Sequence, residues 1–372
     1  MDSFIIPYLY YLFTQNIFMI ESLSLPVLLL IFGVCAVVIW FAGIKLSKTA
    51  DILSTHFGLG EALGGMLLLA IVTNLPEIAI TVSAALQNNL ELAIGNILGG
   101  IAIQTVVLVI FDVFGLGKKD PLTYRAASLV LVLEGLMVIT VLTLVVLGNQ
   151  LGPSVICLGI SPIDAIILLV WLVGIYMIGK ARTNLPWHKL GALPNSQKEM
   201  RGHSKKKVYD LAIKKGTRIR MVILMFAVCS LLTLIAGVGL EVTGDAIAKQ
   251  IGMTGVLFGA TILAAATALP EVSTGLASMK LKDYQMAMSD IFGGNAFLPV
   301  LFIVATVLSG KSVLPQAQKT DIYLTALAIL LTIIYICGLI FRPRKQLLWM
   351  GIDSFLVVIV YLIGLLGLFA IS

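Results

Sequence analysis

Two short stretches constrain this chain more than anything else in it: Thr73-Asn74-Leu75-Pro76-Glu77 and Thr267-Ala268-Leu269-Pro270-Glu271. Each sets a carboxylate beside a proline inside a long apolar run. A proline in a helix interior has no N–H to donate and crowds the preceding turn. Pro76 is therefore expected to strand the carbonyl of Val72, and Pro270 that of Ala266. An ionisable residue at membrane depth is costly and marks a functional site by default. The two stretches lie 194 positions apart without a gap. The same offset pairs Gly65, Leu69, Ala70, Ala93, Ile97, Gly99, Gly100 and Ala102 with Gly259, Leu263, Ala264, Ala287, Ile291, Gly293, Gly294 and Ala296. This is an internal repeat, and in an apolar chain such a repeat points to a transporter.

The chain is apolar enough for that reading. Of its 372 residues 59% are hydrophobic and only 12% charged, with a mean hydropathy of +1.05. A soluble domain carries about 25% charged residues. The fold class expected is all-α: a polytopic membrane protein of about ten helices in two inverted five-helix repeats. The net charge of +6 belongs to loops and reflects topology rather than nucleic-acid binding. Cys35, Cys157, Cys229 and Cys337 have neither metal-ligand nor disulfide spacing and read as small apolar fillers.

Residues 1–25 are apolar and aromatic, with no Lys or Arg before Lys45, so the charged start of a secretory signal is missing. They read as an N-terminal interfacial segment on the outer side, with a spanning helix as the alternative. Run length then places ten spans at approximately 26–46, 60–86, 91–115, 123–147, 162–180, 220–243, 252–279, 283–309, 320–341 and 347–370. The first repeat covers 26–180 and the second 220–372, joined by the basic linker 181–219. If the first span enters from outside, the inner loops hold 22 of the 25 Lys and Arg residues. The outer loops keep only Lys249, Lys311 and Lys319. The positive-inside rule then puts the N-terminus outside and the linker in the cytoplasm, in a multi-pass protein of the cell membrane. Five spans per repeat is an odd number, so the second repeat enters upside down. Glu77 and Glu271 then face each other near the midplane.

Thr73 and Glu77 are four apart and share a helix face, as do Thr267 and Glu271. Each half thus offers a carboxylate, a hydroxyl and freed carbonyls. Oxygen-only ligands of this kind suit hard cations, above all Ca²⁺ or Na⁺. A second cluster runs Gly95-Asn96-Ile97-Leu98-Gly99-Gly100, echoed by Ser289-Asp290-Ile291-Phe292-Gly293-Gly294-Asn295. Its glycines allow close helix packing, and Asn96 and Asp290 are placed to reach the ion. Glu134, mid-span and without a repeat partner, reads as a protonated or hydrogen-bonded structural residue. Asp112, Asp164 and Glu241 lie near span ends and are expected to reach water.

These residues resemble the calcium/cation antiporter superfamily, specifically its sodium/calcium exchanger branch. That branch carries Gly-Thr-Ser-x-Pro-Glu followed by Gly-Asn-x-x-Gly-Ser-Asn in each of two inverted repeats. The resemblance implies a central calcium site of Glu77, Glu271 and the backbone carbonyls of Thr73 and Thr267, lined by Asn96 and Asp290. The chain departs from the pattern where the signature serines become Asn74 and Ala268, and where a further serine becomes Leu92 and Met286. Those serines help to hold sodium in the family, so the acidic core is intact while the sodium shell is thinned.

The function expected is secondary antiport: Ca²⁺ efflux in exchange for Na⁺, with H⁺ or another cation as the alternative. The partners are those ions and membrane lipid. No cofactor, nucleic acid or other protein is implied. A passive channel gains less from inverted, broken helices. An intramembrane enzyme would need motifs that are not visible, such as a His-x-x-x-His pair, a nucleophile elbow or a phosphate-binding loop.

Overall fold

In the computed structural model of the protein, the described residues are 22–57, 68–117, 120–152, 159–183 and 218–371. Nearly all of the expected interfacial segment 1–25 and of the linker 181–219 lies outside them.

The described residues are mainly helical. α1 spans Leu25–His56. A broken pair follows, α2 (Leu68–Thr73) and α3 (Leu75–Leu86). α4 (Leu90–Ile110) widens into a π-helical end, Phe111–Leu116. Short α5 (Leu122–Ala126), α6 (Leu129–Gln150) and α7 (Pro162–Thr183) close the first half. The second half opens with α8 (Ile219–Ile251) and α9 (Gly255–Phe258). It continues through a π-helical segment, Gly259–Leu263, into α10 (Ala264–Thr267), then breaks into α11 (Leu269–Lys280). After α12 (Tyr284–Phe297), α13 (Leu301–Ser309) and α14 (Lys319–Phe341) comes a small antiparallel hairpin, β1 (Gln346–Leu347) and β2 (Met350–Gly351). α15 (Ile352–Ile371) is the last described element.

Among the described residues, eight helices are long and apolar enough to cross a membrane, and the bent pair Gly259–Thr267 with Leu269–Lys280, taken as one span, makes a ninth. The expected span 60–86 is described only from Leu68, as α2 and α3. The last span starts at Ile352 rather than 347, because the hairpin occupies the preceding residues. α1 runs ten residues past its expected end, and α8 eight. Charged and polar residues at the ends of those apolar runs continue the helices instead of stopping them.

The repeat is visible in fine geometry. The two breaks fall at Asn74 and Ala268. Asn88 and Lys282, also 194 apart, both take positive φ. The next residues, Asn89 and Asp283, cap α4 and α12 by accepting the N–H of Leu92 and Met286. The halves are interlocked: α1 packs along α8, α8 on α3, and α1 on α11. α4 and α12 fill the centre, 72% buried in the spans they belong to, against 22% for α1 and 28% for α8. The outer faces are apolar, with Leu30, Phe41, Leu224 and Leu366 exposed where lipid would lie.

Side-chain contacts sort the loops into two ends. At one end Arg125 stacks on Tyr284, and Arg342 and Arg344 stack on Tyr124. At the other, Asn89 donates to Asp245 and Gln318 donates to Glu91. The chain leaves α3 at the second end and leaves α11 at the first. The helices bearing Glu77 and Glu271 therefore run in opposite directions, and three of the loops expected inside gather at one end.

Candidate cation site

The proline places each acid. Pro76 sits in the first turn of α3, where a missing N–H costs nothing. Pro270 does the same in α11. The ladder is interrupted just before each proline, and the second pair bends by 47°. Glu77 and Glu271 then fall in the first turn of a new helix, whose positive dipole end favours negative charge.

Both breaks are seated by glycines that themselves stand 194 apart. A side chain on Gly237 of α8 would meet Ala79 Cβ at 2.8 Å and the Pro76 carbonyl oxygen at 3.1 Å. One on Gly43 of α1 would meet Pro270 Cβ at 2.8 Å. Each half thus supplies the floor for the other half's proline. Gly99 lies so close to Ala260 that no side chain fits, and one on Gly259 would meet the Asn96 backbone nitrogen at 3.1 Å. These approaches bring the π-helical segment of the second half against α4 of the first. Gly294 makes room for the Asn74 amide, at 2.9 Å from where its side chain would begin. Gly100 is different: a methyl there would meet Leu298 at an ordinary 3.7 Å, so close packing does not demand glycine. Gly293 is half-buried.

The result is one buried polar centre. Glu77 is 0% exposed and Glu271 1%. Thr267 lies beside the Glu77 carboxylate and Thr73 beside that of Glu271, a crosswise pairing between halves. Glu77 and Asp290 are both close enough to repel Glu271 when ionised. Asp290 accepts a hydrogen bond from Thr274 at 2.9 Å. Asn96 is fully buried, and neither its amide oxygen nor its nitrogen has a hydrogen-bond partner. The same holds for Glu77 Oε2 and both oxygens of Glu271. Neither glutamate forms an ion pair with a Lys or Arg among the described residues.

Buried polar groups are normally hydrogen-bonded. A set of buried oxygens lacking donors is chemically able to accept a cation. The donors are carboxylate, amide and hydroxyl oxygens. Among the described residues no three His, Cys, Asp or Glu side chains gather as a metal cluster. That composition suits a weakly held hard ion, not a tightly chelated transition metal.

Gln104 lines this centre without having been singled out from sequence, and Thr105, also not singled out, ties α4 to Asn295 of the second cluster. Gln104 donates to Asn74 Oδ1 at 3.2 Å and to Glu77 Oε1 at 3.3 Å. Asn295 donates to Thr105 Oγ1 at 3.0 Å, across the two halves. Gln104 and Thr105 have the apolar counterparts Leu298 and Pro299 at the repeat offset, so the repeat could not flag them. Their signal was only that of polar residues within an apolar run.

Asp112, Asp164 and Glu241 do not reach water as expected; they are 0%, 2% and 0% exposed. Each has found local donors instead. Asp112 accepts the N–H of Leu122 and of Gly351, Asp164 the Thr306 hydroxyl, and Glu241 Ser83 and Gln87. Glu134 is buried on α6.

Comparison with known proteins agrees with this architecture. The inner membrane protein YrbG of Escherichia coli is 26% identical over 300 residues, covering 79% of this chain and 83% of YrbG. The crystal structure of the H⁺/Ca²⁺ exchanger CAX superposes with a TM-score of 0.60 at 14% identity, covering 96% of this chain and 94% of CAX. The sodium-calcium exchanger NCX_Mj, soaked with Na⁺ and no Ca²⁺, gives 0.55 at 16% identity, covering 92% of this chain and 99% of NCX_Mj. Both likenesses are of fold. The family model described as sodium/calcium exchanger protein matches residues 27–178 and 221–367, one stretch in each half. On that match, which takes in most of its length, the chain belongs to the sodium/calcium exchanger family.

Proposed function

We propose that this protein is a secondary antiporter that moves Ca²⁺ out of the cell in exchange for Na⁺, by exposing one site alternately to the two sides of the membrane. The observation that carries the reading is the meeting of Glu77 and Glu271 from oppositely directed, broken helices, buried and without cationic side-chain partners. Two ionised carboxylates about 4 Å apart repel by about 4 kcal/mol at an effective dielectric near 20. One Ca²⁺ removes that repulsion; monovalent ions remove it equally well but cannot bind at the same time. A centre that closes when filled by either class, and resists closing when bare, exchanges one for the other. Thr73, Thr267, Asn96 and Asp290 complete the oxygen shell, with Asn74 held at its edge by Gln104.

A second reading, H⁺ in place of Na⁺, is favoured by one observation. The serines that hold sodium in the family pattern are Asn74, Ala268, Leu92 and Met286 here. Asn74 is already committed to Gln104, and the other three side chains carry no oxygen.

The test is ⁴⁵Ca²⁺ flux in proteoliposomes under imposed Na⁺, K⁺ and H⁺ gradients in turn. Uptake driven by Na⁺ alone supports the first reading and uptake driven by H⁺ alone the second. Passive current without any counter-ion gradient would overturn both.

A further inference from the structure

We infer that the protein holds a second cation site at its basic end, built on Asp112 and Asp353 and separate from the transport centre. Asp112 lies on the same helical run as Asn96, 16 residues on, or about 24 Å along the axis at 1.5 Å per residue.

The site forms where the π-helical end of α4 meets α5, α14 and the start of α15. Asp112 is fully buried and structurally anchored: Oδ1 accepts the N–H of Leu122 at 2.9 Å and Oδ2 that of Gly351 at 2.6 Å. Those bonds fix one carboxylate without exhausting it, because each oxygen keeps a second lone pair. Asp353, in the first turn of α15, is 6% exposed; the Thr123 hydroxyl and the backbone N–H groups of Asp353 and Ser354 lie near its carboxylate, but none reaches it in good hydrogen-bond geometry.

Two glycines make room for the Asp353 carboxylate. A side chain on Gly351 would run into Oδ1, and one on Gly338 of α14 would run into Oδ2. The same point on Gly351 is 3.2 Å from Asp112 Oδ2, so the two carboxylates stand against one glycine face as close neighbours. Around them are three hydroxyls. Thr123 lies beside Asp353, 1% exposed, and its Oγ1 also lacks a hydrogen-bond partner. Ser354 lies beside Asp112, and Tyr335 meets Ser354 at 3.3 Å.

No basic side chain among the described residues is paired with either acid. Arg342 and Arg344 are drawn onto the Tyr124 ring, and Arg125 to Asp120. Two buried carboxylates with three hydroxyls and no counter-charge match one hard divalent cation. Ca²⁺ accepts mixed carboxylate and neutral oxygen ligands in flexible geometry, whereas Mg²⁺ demands a near-ideal octahedron.

The location gives the site something to act on. Phe111, next to Asp112, packs its ring on Gly275 of α11, and Gly115 packs on Met279 of the same helix. Glu271 lies in the first turn of α11. An ion that fixes the end of α4 therefore also fixes the surface on which the Glu271 helix rests.

The experiment is equilibrium dialysis of ⁴⁵Ca²⁺ on the full-length Glu77→Gln/Glu271→Gln variant in detergent, with and without Asp353→Asn. The expected result is one Ca²⁺ per chain retained by the double variant and weakened at least about tenfold by Asp353→Asn, since Ca²⁺ affinity follows ligand charge. Thr123→Val, which leaves both acids in place, should weaken it several-fold and decides the matter if Asp353→Asn does not fold. Absence of retained Ca²⁺, or retention indifferent to both Asp353→Asn and Thr123→Val, overturns the proposal. The transport reading is judged separately, by whether Glu77→Gln/Glu271→Gln still exchanges.

Discussion

Glu77 and Glu271 show how one side chain can be costly alone and useful in company. A buried carboxylate short of donors and without a counter-charge is among the most unfavourable groups a fold can carry, yet two are placed together here. Replacing one by glutamine removes half the charge that balances Ca²⁺, and even one unit charge acting on another about 4 Å away is worth about 4 kcal/mol at an effective dielectric near 20. Glu77→Gln and Glu271→Gln should each lower ⁴⁵Ca²⁺ exchange about a thousandfold while membrane insertion, read by detergent-extracted yield, stays near normal. Wild-type flux in both variants would sink the transport reading. Gln104 has a smaller part. Gln104→Leu takes the donor from Asn74 Oδ1 and Glu77 Oε1, a loss of about 1–3 kcal/mol for buried acceptors. The expected outcome is roughly tenfold weaker apparent Ca²⁺ affinity in a flux titration, and an unchanged value would deny it a place in the site.

The elements that matter are the two breaks and the glycines beneath them. A proline preceded by a turn residue ends one helix and starts another, so the break was legible from Pro76 and Pro270. What lies under each break was not, since Gly43 and Gly237 are far away in sequence and glycine is common in membrane helices. Filling either space overpacks a tight crossing, at a cost of typically about 1–3 kcal/mol. Gly43→Val and Gly237→Val should therefore slow exchange at least about tenfold in a proteoliposome assay. Gly33→Val, on the same helix as Gly43 but with open space around it, should leave the rate near wild type. Equal rates in all three would show that the crossings carry no function.

At the scale of the whole molecule, sidedness follows from charge. The positive-inside rule predicts that the three basic loops that meet through Tyr124 and Tyr284 lie at the inner face. In a cysteine-free background a membrane-impermeant maleimide should label Lys311→Cys on intact cells. Lys280→Cys should react only after permeabilisation; both positions are exposed. The reverse pattern would turn the molecule over and with it the direction of Ca²⁺ movement.

Hydropathy, the 194-residue offset and the two Pro-Glu pairs determined the class of fold, the number of halves and the acids at the centre, because each depends on local pattern or on composition. Which residues complete the centre was decided only in three dimensions. Gln104 joins it by a helix crossing that brings distant segments together, and no local pattern records a crossing. Asp112, Asp164 and Glu241 read as wet because span ends usually are. Backbone amides and hydroxyls from other helices close over them instead, and only the packed structure can supply those donors.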